Sequence, residues 1–304
     1  PGWLTVSLAC FLIPILFLDK AYASRTQVSP SQVGAEQIKS YLPLLENKRV
    51  GLIVNQTSRV GNRHLVDFLL DSGVDIKFIF APEHGFRGEF DAGAHVDSGV
   101  DSQSGLPIVS IYGKQKKPSP DLLAQIDVLV FDIQDVGVRF YTYLSSMHYM
   151  MQAAAETNTA FIVLDRPNPN IAFVDGPLLE SEHRSFVGLH PIPILHGMTL
   201  GELAKMIVGE GWLTIKSDSA TYKYDLDLTV IPVQGYNRSQ AYILPVKPSP
   251  NLPTPQSIRL YPSLCLFEGT AVSVGRGTDV PFQVLGHDTV NLGNFQFSPR
   301  PIKG

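Results

Sequence analysis

The chain reads as an α/β protein: a mostly parallel sheet flanked by helices, followed by a smaller and less regular unit. Three observations predict this. Short apolar runs alternate with amphipathic stretches between residues 49 and 164, and strands alternating with helices make βαβ units and hence a parallel sheet. The runs are near-continuous, as in Val50-Gly-Leu-Ile-Val54 and Val128-Leu-Val-Phe131, which marks strands covered on both faces. Past residue 165 this regularity gives way to Pro-, Asn- and Gly-rich stretches.

Taken in order, residues 1–23 read as a signal peptide. Leu4 to Leu18 is apolar apart from Thr5, Ser7 and Pro14, and Ala21-Tyr22-Ala23 offers a small-x-small cleavage site before Ser24. Export to the periplasm or the extracellular space is expected, with no stable membrane insertion once the leader is removed. Cys10 leaves with it, so Cys265 is expected to be the one thiol and no internal disulfide forms. Cys265 sits among Leu264, Leu266 and Phe267 and reads as a core residue rather than a nucleophile.

Residues 32–46 read as helical. Strands are expected at Arg49–Asn55, Asp75–Phe80, Pro107–Tyr112, Asp127–Asp132 and Ala160–Leu164, with helices at His64–Asp71, Ser119–Gln125 and Tyr143–Thr157. Ser119 is placed as an N-cap with Pro120 in the first helical position. These elements form a first domain over residues 32–170. A second, smaller α+β domain is expected over residues 171–304. It holds one helix opened by the capping box Thr199-Leu-Gly-Glu202, which makes Glu202 structural, and a Pro-rich stretch from Pro245 to Pro255. No obvious terminal element follows, so this domain is expected to be incomplete.

Composition narrows the function. Of the 304 residues 44% are hydrophobic and 17% charged, with a formal net charge of -4, which marks a core-forming protein without a polyanion-binding surface. The small basic run Lys114-Gln-Lys-Lys117 reads as a solvated loop, so no nucleic-acid partner is expected. After the first strand comes Gln56-Thr-Ser-Arg-Val-Gly61, neither a dinucleotide fingerprint nor a phosphate loop. There is no G-x-S-x-G elbow and no H-E-x-x-H. The loop from Glu83 to Asp101 carries Glu83, His84, Glu89, Asp91, His95, Asp97 and Asp101 in no recognised ligand spacing. It reads as a solvated acidic loop, and neither metal nor cofactor is expected.

In a parallel sheet the carboxyl ends of the strands share one edge, and ligands bind outside it. That edge is expected to gather Asn55, Glu83 with His84, Tyr112, the run from Asp132 through Asp135 to Arg139, Tyr141 and Tyr143, and Asp165 with Arg166. What remains once nucleotide, serine-hydrolase and zinc motifs are set aside is carboxylate chemistry. Glycosidases commonly place two carboxyl groups about the scissile bond, the acid having a raised pKa from an apolar setting. Glu83, between an apolar strand with Pro82 and the ring of Phe86, is the candidate acid. Asp132, Asp135 and Glu268 are candidates for the second group. Each Asp also reads as a helix cap or a backbone-binding carboxylate. Tyr141, Tyr143, Tyr149 and Trp212 are candidate sugar platforms.

These residues lie in six ordered motifs: Pro82-Glu-His-Gly-Phe-Arg-Gly88, Asp132-Ile-Gln-Asp-Val-Gly-Val-Arg-Phe-Tyr-Thr-Tyr143, Asp165-Arg-Pro-Asn-Pro169, His196-Gly-Met-Thr-Leu-Gly-Glu202, Pro248-Ser-Pro-Asn-Leu-Pro-Thr254, and Phe267-Glu-Gly-Thr270 with Gly275-Arg-Gly-Thr278. Over roughly residues 36–286 the chain thereby resembles the NamZ-type exo-β-N-acetylmuramidases. The resemblance implies a Rossmann-like first domain, a smaller C-terminal domain and a site in the cleft between them. It implies release of N-acetylmuramic acid from non-reducing ends of peptidoglycan fragments, with Glu83 as catalytic acid. It brings Asn168 and His196 into the candidate substrate-binding set with Asn55, Asp132, Tyr141 and Tyr143. The sugar carries a lactyl carboxylate, so Arg87, Arg139, Arg166 and Arg276 become candidates for reading it bidentately. Each also reads as half of an internal ion pair. The sugar's own 2-acetamido group is an alternative nucleophile. Past Gly286 the sequence departs from the family pattern. The alternative function is a periplasmic muropeptide-binding protein without turnover, and a metal-dependent hydrolase built on the 83–101 loop is a third.

Overall fold

The computed structural model describes residues 32–87, 98–216, 221–239 and 241–302. The expected signal peptide, and Glu89, Asp91, His95 and Asp97 of the acidic loop, lie outside the described residues. One seven-stranded sheet organises the chain. Its strands are β1 (Arg49–Val54), β2 (Asp75–Ala81), β3 (Gly99–Val100), β4 (Pro107–Ser110), β5 (Val128–Asp132), β6 (Ala160–Leu164) and β7 (Leu228–Ile231), in the spatial order β7-β6-β5-β1-β2-β4-β3. All neighbours pair in parallel except the edge strand β3, which runs antiparallel to β4. Counting only the parallel strands, this is the doubly wound 3-2-1-4-5-6 order. Its topological switch point falls between β1 and β5.

The sheet is buried on both faces because its strands alternate in what they offer to each side. Ile53, Phe80, Leu129, Phe131, Phe161 and Val163 pack with Met147, Met150 and Met151 of α3 (Tyr143–Thr157) and with Leu203 and Ile207 of α4 (Leu200–Gly209). Leu52, Val54, Ile79, Val130 and Ile162 face the other way, onto Leu65 and Leu69 of α1 (Leu65–Asp71) and onto Tyr41 and Leu45. The helix α3 stops where Asn158 turns left-handed at φ 54° and the Thr159 N–H returns to the Ala154 carbonyl. The capping box of α4 forms as read: Thr199 Oγ1 accepts from the Glu202 N–H, and Glu202 accepts from the Thr199 N–H.

Several element expectations shift. Residues 32–46 break into turns at Gly34–Glu36, Ile38–Tyr41 and Leu42–Leu45, with Pro43 interrupting the helical ladder. Ser119 precedes the short helix α2 (Pro120–Leu123) without a side-chain capping bond. The strand β7 was not foreseen; it comes from residues 228–231, past the division expected near residue 170, and pairs with β6 from Leu228↔Phe161 to Ile231↔Leu164. The N-terminal segment crosses this β6–β7 edge so closely that a Cβ on Gly34 would lie 2.4 Å from the Asp165 nitrogen and 2.6 Å from the Ile231 oxygen. Beyond β7 lies α5 (Pro255–Leu264), whose Ile258 and Tyr261 join the α3 side of the core. Among the described residues no helix is long and apolar enough to cross a membrane.

Candidate active site

The switch point is knit together by the turn after β1. Asn55 is fully buried, and its Oδ1 accepts from the Thr57 N–H at 2.9 Å and the Thr57 hydroxyl at 2.6 Å. Thr57 accepts in turn from the Gln134 N–H, and Ser58 donates to the Asp132 carbonyl. Asn55 Nδ2 faces the Tyr143 hydroxyl without reaching hydrogen-bond geometry.

The next strand carries Glu83 out of the sheet. A turn closes from the Gly85 N–H to the Pro82 carbonyl, with His84 at φ 68° and Gly85 at φ 76°. A left-handed histidine costs on the order of 1 kcal/mol or more, and such strain persists where the surroundings hold it. His84 is buried. Glu83 is half-buried and both its oxygens are gripped: the Tyr112 hydroxyl donates to Oε1 at 2.9 Å and the Thr142 hydroxyl to Oε2 at 2.7 Å. Burial, reinforced by the Glu83 charge, pushes Tyr112 up to about 12, so it stays a donor. The Tyr143 hydroxyl stands 3.4 Å from the Glu83 carbonyl and 3.5 Å from the Pro248 carbonyl. Tyr141 packs edge-on against Tyr143 at 4.9 Å.

The loop after β5 carries a buried carboxyl group. Asp135 is 5% exposed; its Oδ2 accepts from the Gly137 N–H at 2.6 Å, while its Oδ1 is buried without a partner. His196 Nε2 lies 3.8 Å from Asp135 Oδ2 and is also unpartnered. Because His196 Nδ1 accepts from the Met198 N–H, the imidazole carries its proton on Nε2, and burial lowers its pKa to about 4. Burial also pushes Asp135 up to about 7, against the backbone N–H groups of Gly137 and Val136. Tyr141 completes the group, its buried hydroxyl facing Ser249 without reaching hydrogen-bond geometry.

The raised pKa of Asp135 has a measurable consequence. A group that binds its proton more tightly in the fold contributes stability that is full below its unfolded pKa and lost as pH rises through the folded one. Between pH 5 and pH 8 the wild type should therefore lose about 3 kcal/mol relative to Asp135→Asn, which cannot ionise. Urea denaturation of both proteins at the two pH values checks this. A pH-independent difference would show that Asp135 is already ionised in the fold.

The other expected site residues take structural partners. Arg166 and Asp132 form a buried bidentate pair at the switch point, at 2.5 and 2.9 Å, and Arg166 also donates to the Arg59 carbonyl. Arg87 forks onto Asp101 at 3.0 Å and lies over the Phe86 ring. Arg139 holds the carbonyls of Pro177 and Ile192. Arg276 pairs with Glu268 at 2.6 Å, beside Cys265, whose thiol burial pushes up to about 12. Asn168 ties down the Asn170 N–H and the Met198 carbonyl, and its side chain fills the space a Cβ on Gly137 would need. Asp165 accepts from Thr199 and the Gly201 N–H, docking the start of α4. The structure thus links Asn55, Glu83, Asp135, Tyr141, Tyr143 and His196. It adds Tyr112 and Thr142, the hydroxyls that hold Glu83. Both stood in plain view, one at a strand end and one inside a quoted motif, but nothing in sequence ties a hydroxyl to a carboxylate some 30 or 60 residues away.

Comparison with known proteins places the family's own domain boundary near residue 257. Residues 50–256 match the model of the N-terminal domain of the exo-β-N-acetylmuramidase NamZ, and residues 259–296 match that of its C-terminal domain. The peptidoglycan β-N-acetylmuramidase NamZ of Bacillus subtilis (strain 168) is 46% identical over 257 residues, 82% of this chain and 59% of the relative. The chain therefore spans less than two thirds of that relative's length. Two solved DUF1343-family structures from Bacteroides fragilis NCTC 9343 superpose well. One has a TM-score of 0.79 at 50% identity, covering 89% of this chain and 70% of the other. The second has a TM-score of 0.76 at 38% identity, covering 86% and 66%.

Proposed function

Because the chain belongs to the NamZ family of exo-β-N-acetylmuramidases, we propose that it is a glycoside hydrolase releasing N-acetylmuramic acid from the non-reducing ends of peptidoglycan fragments. The observation that carries this reading is the grip on Glu83 by Tyr112 and Thr142 at the carboxyl edge of the sheet. A general acid changes protonation state during the cycle. A hydroxyl suits such a partner, since it donates to a carboxylate and accepts from a carboxylic acid. Glu83 is assigned the proton transfer to the glycosidic oxygen.

Asp135 is the second carboxyl group of this reading. Burial raises its pKa to about 7, so near neutral pH it exchanges its proton readily, 3.8 Å from the neutral imidazole of His196. The four arginines expected to read the lactyl carboxylate hold internal partners. The unpartnered donors at the switch point, Asn55 Nδ2, Tyr141 hydroxyl and His196 Nε2, are assigned to the sugar's acetamido and lactyl oxygens instead. Export belongs to the same proposal and rests on the apolar run before Ala21-Tyr22-Ala23.

Incubation with the N-acetylmuramyl-N-acetylglucosamine disaccharide tests the proposal. Free N-acetylmuramic acid should accumulate beyond one equivalent of protein. Stoichiometric binding without product would replace the enzyme by the muropeptide-binding alternative.

A further inference from the structure

A pocket opens along the segment that follows residue 178. It is a cavity of about 200 Å³ lined by Leu179, Arg184, Leu189, Pro191 and Trp212, with hydroxyls from Ser181 and Thr214. An enclosed volume of about 150 Å³ holds benzene, so this one takes a single six-membered ring. The Trp212 indole is backed by ordered packing. His190 lies 5.1 Å from the Trp212 indole, tilted by 31°, and hydrogen-bonds to His148 at 3.0 Å. Its other ring nitrogen is buried and unpartnered.

Charge points to the occupant. Burial lowers His148 to about 4 and His190 to about 3, with the Arg184 charge adding to both effects. The two imidazoles are thus neutral beside a guanidinium. Among the described residues Arg184 makes no ion pair and no side-chain hydrogen bond, whereas Arg87, Arg166 and Arg276 are each matched to a carboxylate. The acidic groups on its own turn, Glu180 and Glu182, gather with His183 instead. A ring contact leads from the Arg184 turn toward Glu83. Phe186, two residues along from Arg184, packs on Tyr112 at 6.0 Å and stacks on Tyr149 at 6.2 Å. Tyr112 is the residue that holds Glu83.

We infer that this cavity is a leaving-group subsite, which takes a downstream muramic acid of the glycan with its ring on Trp212 and its lactyl carboxylate on Arg184. The inference rests on the proposed hydrolase reading. A muramic acid two sugars beyond the scissile bond supplies the ring and the carboxylate together, and Phe186 and Tyr112 lie between the Arg184 turn and Glu83. The occupant is therefore a longer chain, and the disaccharide alone leaves the cavity unfilled.

The experiment compares the disaccharide, the tetrasaccharide made of two such units, and a disaccharide bearing a stem peptide, with wild type and Arg184→Gln. The KM for the tetrasaccharide should lie about tenfold below that for the disaccharide, the size of one charge-assisted hydrogen bond. Arg184→Gln should remove that advantage while leaving kcat and the disaccharide KM unchanged. Arg184→Lys should restore part of it. Equal tetrasaccharide-to-disaccharide ratios in wild type and variant would overturn the inference. So would an advantage confined to the peptide-bearing substrate, which would give the pocket to a peptide. Calorimetric Kd values for the same sugars read the subsite without turnover. A protein that binds the tetrasaccharide more tightly through Arg184 yet releases no sugar would sink the hydrolase reading and leave the subsite standing.

Discussion

Glu83→Gln should lower release of N-acetylmuramic acid from the natural disaccharide by about 10²–10⁴-fold, while the thermal midpoint stays close to wild type. Glutamine preserves the volume and both contacts: its carbonyl accepts from one of the two hydroxyls and its amide donates to the other, so the Tyr112–Thr142 grip survives. What is lost is the transferable proton. The leaving group gives the diagnostic readout. A chromogenic glycoside with an acidic aglycone needs little protonation, so the variant should keep more of its activity there than on the disaccharide. Equal losses on both would make Glu83 a base or nucleophile rather than the acid. Near-full activity on the disaccharide would remove it from the chemistry altogether.

Arg166→Met should destabilise the fold by about 3–5 kcal/mol, the largest stability effect expected of any single change at the site. Asp132 is fully buried and its carboxylate is answered by the Arg166 fork. Removing the guanidinium strands a charge in the interior and also leaves the Arg59 carbonyl short of a donor. Removing both charges relieves the penalty, so Asp132→Leu combined with Arg166→Met should recover most of the loss. Denaturant unfolding of the two singles and the double closes the cycle. A cost below about 1 kcal/mol for Arg166→Met would mean that the pair is effectively solvated. Arg166 would then return to the set of residues that read substrate.

The arginines show where sequence reading stops. Each of the four was legible as a guanidinium inside an ordered motif, and each admitted two uses. Coordinates resolve the choice by proximity: Asp101, Asp132 and Glu268 come within hydrogen-bond reach, and Arg139 meets carbonyls. By contrast Arg184, which carries no motif, is the guanidinium left beside a cavity and an indole. Trp212 was visible as a candidate platform; that His190 floors it was not. Glu202 and Asp165 differ in the same way. The capping box of Glu202 is local, four residues long, and was read correctly. The docking of α4 by Asp165 spans more than 30 residues and needed the fold.

By itself the sequence determined the parallel sheet, its five strands read between Arg49 and Leu164, and the family. These follow from periodicities and motifs carried by neighbouring residues, where backbone geometry alone fixes which side chains share a face. Only the tertiary structure decided that Leu228–Ile231 completes the sheet, that Tyr112 and Thr142 grip Glu83, that Asp135 holds its proton to about pH 7, and which arginines are occupied. The reason is physical. Burial and pairing are properties of a group's surroundings, and those surroundings are assembled from strand ends tens of residues apart.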